Sequence, residues 1–358
     1  MEEQSKKYLL LTLGIILAVS TALAAFNYCI DPYGIYRAWG PNDVYPAADT
    51  YERIHKTERI KRVKPDVLIL GTSRANIGVN PRQKFFPGLV PYNGAVSAAT
   101  IYEQRKMLEL AHKSHPLKKA IFALDFMVFN TARLENRHFE EKRVADDALS
   151  PVNSFINTYG TVVSFSTILV SLRHLRYQKT VFRRSHPEAN GHKKHNEGAW
   201  RAKKFGVNSI FMLSPNAEIA GKEVSYKYSD KPGDDSFQHF RAMLEFCRKN
   251  DIKAYVYIGP LHQTHLQMYK DNNVWETMQD WKKMIAEIMA AYPYPLWDFS
   301  TYNSLTTEPL PPVEDKETQM KWFWDTDHYK EEVGDIILQK VLGLKGKDYY
   351  PDFGKKLN

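Results

Sequence analysis

The sequence predicts an α/β domain: a parallel five-stranded sheet with helices on both faces, behind an N-terminal transmembrane helix and interrupted by a mostly helical insertion. Two observations carry this. Short apolar runs that end in small or turn-forming residues alternate with segments of helical period, the pattern of a parallel sheet joined by right-handed crossovers. Ahead of them, Tyr8 to Phe26 is almost wholly apolar and uncharged, long enough to cross a bilayer at ~1.5 Å per residue.

Four divisions follow: residues 1–30 as anchor, 31–64 as juxtamembrane linker ending in a short helix, 65–345 as the α/β domain with an insertion at 127–235, and 346–358 as a tail. Lys6 and Lys7 precede the apolar run and Asp31 is the first charge after it, which orients the N-terminus to the cytoplasm and the body outside. Ala22-Leu23-Ala24 offers the competing reading of a cleaved signal peptide; the length of the run favours an anchor.

Within the domain, Asp66–Leu70 after Pro65 reads as a buried strand, and Leu89–Val96 as a second. A helix over Thr100–His112 follows, then a strand over Lys119–Asp125. After the insertion come a helix at Ser236–Asn250 and a strand at Ile252–Ile258. A helix at Val274–Ala291, a strand at Leu296–Phe299 and a final helix beyond His328 complete the pattern. The stripe Trp275, Met278, Trp281, Lys282, Ile285 has helical spacing and reads as core.

The chain has 358 residues, enough for a substantial core, and 49 Lys+Arg against 41 Asp+Glu, a net charge of +8. That excess suits anionic surfaces, but no nucleic-acid motif accompanies it, so nucleic acid is not expected as a partner. The two cysteines, Cys29 and Cys247, do not fix a redox compartment. No Gly-rich phosphate loop appears, and no cofactor is expected. His262 and His265 have an i, i+3 spacing compatible with metal, but without a further ligand cluster none is expected.

In a parallel sheet, sites form beyond the carboxyl ends of the strands. Ser73 follows the first strand in Gly71-Thr72-Ser73-Arg74, Asn93–Ala98 follow the second, and Asp125 ends the third. His262 follows the fourth and Asp325/His328 the fifth. A serine, a histidine and an orienting carboxylate are the parts of nucleophilic acyl chemistry. Each has a plainer reading. Ser73 suits a helix N-cap, and Asp325 or Asp327 suits a cap on the last helix. Between the two aspartates, Asp325 is preferred as the partner of His328, because an adjacent residue usually points elsewhere. Arg74 contacts an anionic substrate or pairs with a carboxylate, and His262 borders the cleft. The basic run 183–204 reads as a solvated loop, or as a holder of acidic polysaccharide or phospholipid headgroups.

These segments resemble the SGNH/GDSL hydrolase superfamily. Ser73 stands where its nucleophile follows a strand, Asn93-Gly94-Ala95-Val96-Ser97-Ala98 matches its second block, and Asp325-Thr326-Asp327-His328 its fifth. Thr72 replaces the usual Asp, Ala98 the oxyanion glycine, and Ala123-Leu124-Asp125-Phe126 stands where a Gly-x-Asn-Asp is expected. The departures look like a membrane-anchored branch that includes alginate O-acetylation and teichoic-acid D-alanyl transfer proteins.

The resemblance implies a flavodoxin-like, three-layer fold. It implies Ser73 as nucleophile, His328 as base and acid, and Asp325 as orienter. The backbones of Ser73 and Ala98 would form the oxyanion hole, with Asn93 or Asn130 as side-chain donor. Arg74, Asp125, Asn130 and His262 would line the substrate site. The expected activity is acyl transfer or ester hydrolysis on a cell-envelope polysaccharide, with a glycan or acylated donor and a membrane-bound acyltransferase as partners. A catalytically silent glycan-binding or scaffold protein of the same fold is the alternative.

Overall fold

The computed structural model describes residues 2–36, 51–130, 138–177, 186–219, 235–344 and 350–358. Parts of the expected linker (37–50), insertion (131–137, 178–185, 220–234), basic run (183–185) and tail (346–349) lie outside the described residues.

Helix α1 (Glu2–Ile30) contains the apolar run and is long and apolar enough to span a membrane. After it, α2 (Glu52–Val63) leads into β1 (Val67–Leu70), α3 (Ser73–Gly78), β2 (Pro91–Asn93), α4 (Ile101–Ser114) and β3 (Lys119–Leu124). The insertion supplies α5 (Pro151–Val162), α6 (Phe165–Tyr177) and a ribbon of β4 (His186–Pro187) with β5 (Lys193–Lys194). It continues through α7 (Asn196–Phe205) and α8 (Val207–Ile219). The alternation resumes with α9 (Ser236–Lys249), β6 (Lys253–Ile258), α10 (Gln263–Asp271), α11 (Trp275–Met289), β7 (Leu296–Asp298), α12 (Glu331–Val341) and β8 (Lys355–Lys356).

The sheet has six strands in the order β2-β1-β3-β6-β7-β8. Five are parallel, as expected; the sixth, β8, adds antiparallel to β7. A two-residue Lys-Lys edge strand has neither alternation nor β-propensity, so nothing in its sequence announces it. The second strand is shorter than expected, because Asn93 turns its side chain back to accept the Ala95 N–H at 2.9 Å and bends the chain out of the sheet.

Period-2 alternation sends the strand side chains to two separate cores. Leu68, Leu70, Phe122, Leu124, Val256 and Ile258 pack against α4, α9, α10 and α11. Val67, Ile69, Ile121, Ala123, Tyr255 and Tyr257 pack against α3, α8 and α12. Each fully buried aliphatic or aromatic side chain contributes ~1.5–3 kcal/mol. Met278, Trp281 and Ile285 are core, as the helical stripe implied, and Lys282 pairs with Asp298 at 2.8 Å.

Two close approaches place the sheet edge that carries Ser73. A Cβ on Gly71 would stand 2.8 Å from the Ala123 Cβ, so the turn after β1 lies directly on β3. A Cβ on Gly334 would stand 1.8 Å from the Gly78 carbonyl oxygen, so α12 crosses α3 backbone to backbone.

Candidate active site

Thr72 decides what Ser73 does. Its side chain accepts the Arg74 N–H at 3.4 Å and donates to the Asp125 carboxylate, so Thr72 is the N-cap of α3 and Ser73 the first helical residue. The capping role open to Ser73 in the sequence belongs to its neighbour. Its Oγ instead lies 2.8 Å from Nε2 of His328, a residue 255 positions away.

The segment bearing His328 is a short hairpin. Phe323 and Tyr329 pair in an antiparallel bridge, and the Trp324 N–H donates to the His328 carbonyl at 2.8 Å. At the tip, Asp325 Oδ1 accepts the Asp327 and His328 backbone N–H groups at 3.0 and 2.8 Å. The same carboxylate meets His328 Nδ1 at 2.9–3.0 Å. Helix α12 begins later, with Lys330 as N-cap and no side-chain cap bond. The aspartates therefore do not cap it.

Asp327 also reaches His328, with Oδ1 3.0 Å from Nδ1, while its Oδ2 lies 3.2 Å from Arg74 Nε. Burial alone would lower the His328 pKa, but Asp325 and Asp327 outweigh it and hold the imidazole well above its ordinary value. Burial opposes ionisation of Asp327 too; His328 and Arg74 outweigh it and hold that carboxyl well below the usual range.

The remaining expected site residues divide. Arg74 is buried and pairs with Asp125 at 3.0 Å as well as with Asp327, so both expected substrate ligands are committed to each other. Ser73, Ala98, Asp125, Met127, Val128 and Asp327 border one cavity of about 90 Å³. Ala98 has φ +55°, the left-handed conformation natural to glycine. Among the described residues no acceptor takes the backbone N–H of Ser73 or of Ala98, leaving both available to a ligand oxygen.

Asn93 is not an oxyanion donor. Its amide donates to the Ala75 and Val79 carbonyls at 2.9 and 2.7 Å, which uses both N–H groups inside the fold. Asn130 caps the 3-10 turn Phe126–Phe129 and is not part of the cavity lining. His262 does not border a cleft: it is fully buried between Phe211 and Phe323, with Nε2 2.8 Å from the Glu308 carbonyl. Its backbone N–H holds the Thr326 carbonyl at 2.9 Å, and His265 Nδ1 meets Thr326 Oγ1 at 3.1 Å. The histidine pair thus fixes the hairpin tip.

Sequence reasoning passed over a second layer. Glu52, on α2, accepts the Ser97 N–H at 2.7 Å and pairs with Lys193 at 2.9 Å, steadying the residue before Ala98. Lys56 is buried and donates to Asn76 Oδ1 at 2.6 Å and to the carbonyls of Asn93 and Ala95. Both lie where the sequence reads as linker.

The basic run is not simply solvated: Gly191 packs on Asn93, where a Cβ would stand 2.2 Å from its carbonyl oxygen. His195 stacks near His328 at 6.3 Å between ring centroids. Burial, then the His328 charge, pulls the His195 pKa down to about 3.

Asp325, Asp327 and His328 also form a donor set whose ligand atoms lie within 4.8 Å of one another. His328 Nδ1 and Arg74 Nε already contact those carboxylates, at 2.9 and 3.2 Å, so an ion held there would compete with both contacts. The sequence matches no protein-family model and no curated protein.

Proposed function

We propose that this chain is a membrane-anchored, SGNH-like serine O-acyltransferase or esterase acting on ester groups of a cell-envelope polysaccharide, with its catalytic domain outside the cytoplasm. The observation that carries this reading is the Ser73 Oγ to His328 Nε2 contact of 2.8 Å, with Asp325 on the opposite ring nitrogen. That contact order suits Ser73 as nucleophile, His328 as base and Asp325 as orienter.

In this reading Ser73 Oγ attacks the donor's acyl carbonyl and its proton passes to His328 Nε2. The oxyanion is met by the N–H groups of Ser73 and Ala98. Collapse expels the donor's leaving group, which takes the proton from His328. An acceptor hydroxyl then gives its proton to His328 and attacks the Ser73 ester. The new ester departs and Ser73 regains its proton; with water as acceptor the same steps give hydrolysis. The cavity of about 90 Å³ beside Ser73 and Ala98 would receive the acyl group.

The silent-scaffold alternative draws support from Ala98 in place of the expected glycine and from the lack, among the described residues, of a side-chain oxyanion donor. A serine held against a histidine and spared from capping favours the enzyme. Full-length protein should be labelled by a fluorophosphonate and should release acid from a short-chain aryl ester. Labelling and turnover that persist in Ser73→Ala would sink the reading.

A further inference from the structure

Helices α5 and α6 are inside out. Residues 151–172 contain no charged side chain. Val152, Phe155, Ile156, Leu169 and Leu172 face outward, while Asn157, Thr161, Thr167 and Ser171 are buried. Water favours the reverse, and an exposed apolar face on this scale marks contact with something apolar.

The pair also leans on the membrane helix. Asn27, in the last turn of α1, donates to the Val162 carbonyl at 2.7 Å and accepts from Ser171 Oγ at 2.9 Å. The two helices bend by 58° at that break. A carbonyl freed at a helix break is costly in hydrocarbon unless another group satisfies it, and Asn27 does so. Each helix has 12 or 13 residues, ~18–20 Å by rise, too short to span alone. Exposed Arg173 and Arg176 close the apolar stretch, as side chains that reach for lipid headgroups do.

We propose that α5 and α6 form a wedge that inserts its outward face into the same bilayer leaflet from which α1 emerges. The proposal rests on α1 spanning the membrane, with which the wedge is continuous. The occupant of the face is lipid. The wedge also bears on the site: Val170 packs with Tyr33, Ile35 and Ile54 of α2, the helix whose Glu52 holds Ser97. Catalytic edge and membrane contact thus share one support.

The test uses full-length protein with Cys29→Ser, Cys247 being buried, in phosphatidylcholine–phosphatidylglycerol vesicles. Bimane is attached at Phe155→Cys or Leu169→Cys, with Leu13→Cys and Val313→Cys as controls. The expected result is quenching by brominated lipid and protection from iodide at 155 and 169, as at 13. Iodide quenching at 155 and 169, as at 313, overturns the wedge. Protection from both quenchers means a protein covers the face, and overturns it equally. Iodide quenching at 13 as well would mark failure of the anchor rather than of the wedge alone.

Discussion

Oδ1 of Asp327 stands 3.0 Å from Nδ1 of His328, on the ring nitrogen that Asp325 meets at 2.9 Å. Two carboxylates thus charge one imidazole, and His328 is held well above its ordinary pKa despite burial. A protonated His328 cannot take the Ser73 proton, so activity should rise with pH along a limb lying above ~6.5. Asp327→Asn removes one charge, lowers the His328 pKa and moves that limb to lower pH. A pH profile of kcat/KM on an aryl ester checks both; an unmoved limb in Asp327→Asn would separate this aspartate from the titration.

The two aspartates should differ in kind. Asp325 makes the hydrogen bond to Nδ1 and also shapes the hairpin tip, so Asp325→Asn should lower kcat on the order of 10³–10⁴-fold by disturbing the tautomer. Asp327→Asn should cost less than about tenfold at its shifted optimum. Ser73→Ala and His328→Ala should each cost on the order of 10⁴-fold or more, with little further loss when combined. Steady-state kinetics on all four variants decides the assignment.

Ala98 occupies a left-handed position at φ +55°. Ala98→Gly should relieve ~1 kcal/mol of strain and raise Tm by about 1–3 °C while activity is kept. A fall in Tm would mean that the alanine methyl contributes more packing than its backbone costs.

Lys56 donates to two carbonyls of the segment leading to Ala98, those of Asn93 and Ala95, and to Asn76 Oδ1 on α3. Burial pulls its pKa down to about 7, yet the three acceptors match an ammonium's three N–H groups. Lys56→Met should leave those acceptors unmet, costing ~2–4 kcal/mol by urea unfolding and slowing fluorophosphonate labelling. Labelling at the native rate would detach Lys56 from the oxyanion segment.

Gly334→Ala would drive a methyl into the Gly78 carbonyl, 1.8 Å from the ideal Cβ position. A loss of ~2–4 kcal/mol in stability is expected, since backbone on both sides must part. Urea unfolding measures it, and kinetics should show a matching loss as α12 withdraws the His328 hairpin.

Ser73 was legible because it follows β1, where a strand run and a breaker are strong signals, and Asp325 and His328 because their i, i+3 spacing stands just ahead of the last helix. Their supports were not. Glu52 and Lys56 are four apart on a polar helix, a spacing that ordinarily means a solvated pair. Thr72 and Ser73 are equally good caps, and only the nearby Asp125 selects between them. Asn93 fitted a side-chain oxyanion donor until its two N–H groups met Ala75 and Val79. Strands β1, β2, β3, β6 and β7 were read from apolar runs and their breakers, whereas the β4–β5 ribbon and β8 are held by pairing that two-residue polar stretches cannot advertise.

The Gly78–Gly334 crossing sets an order of events. Ser73 is made early and His328 late, and the crossing of α12 on α3 joins the Arg74–Asp327 pair and the His262–Thr326 bond in bringing them together. A chain emerging N-terminus first therefore carries Ser73 without its His328 partner through most of its synthesis. In the proposed reading, competence would wait on the docking of that last helix.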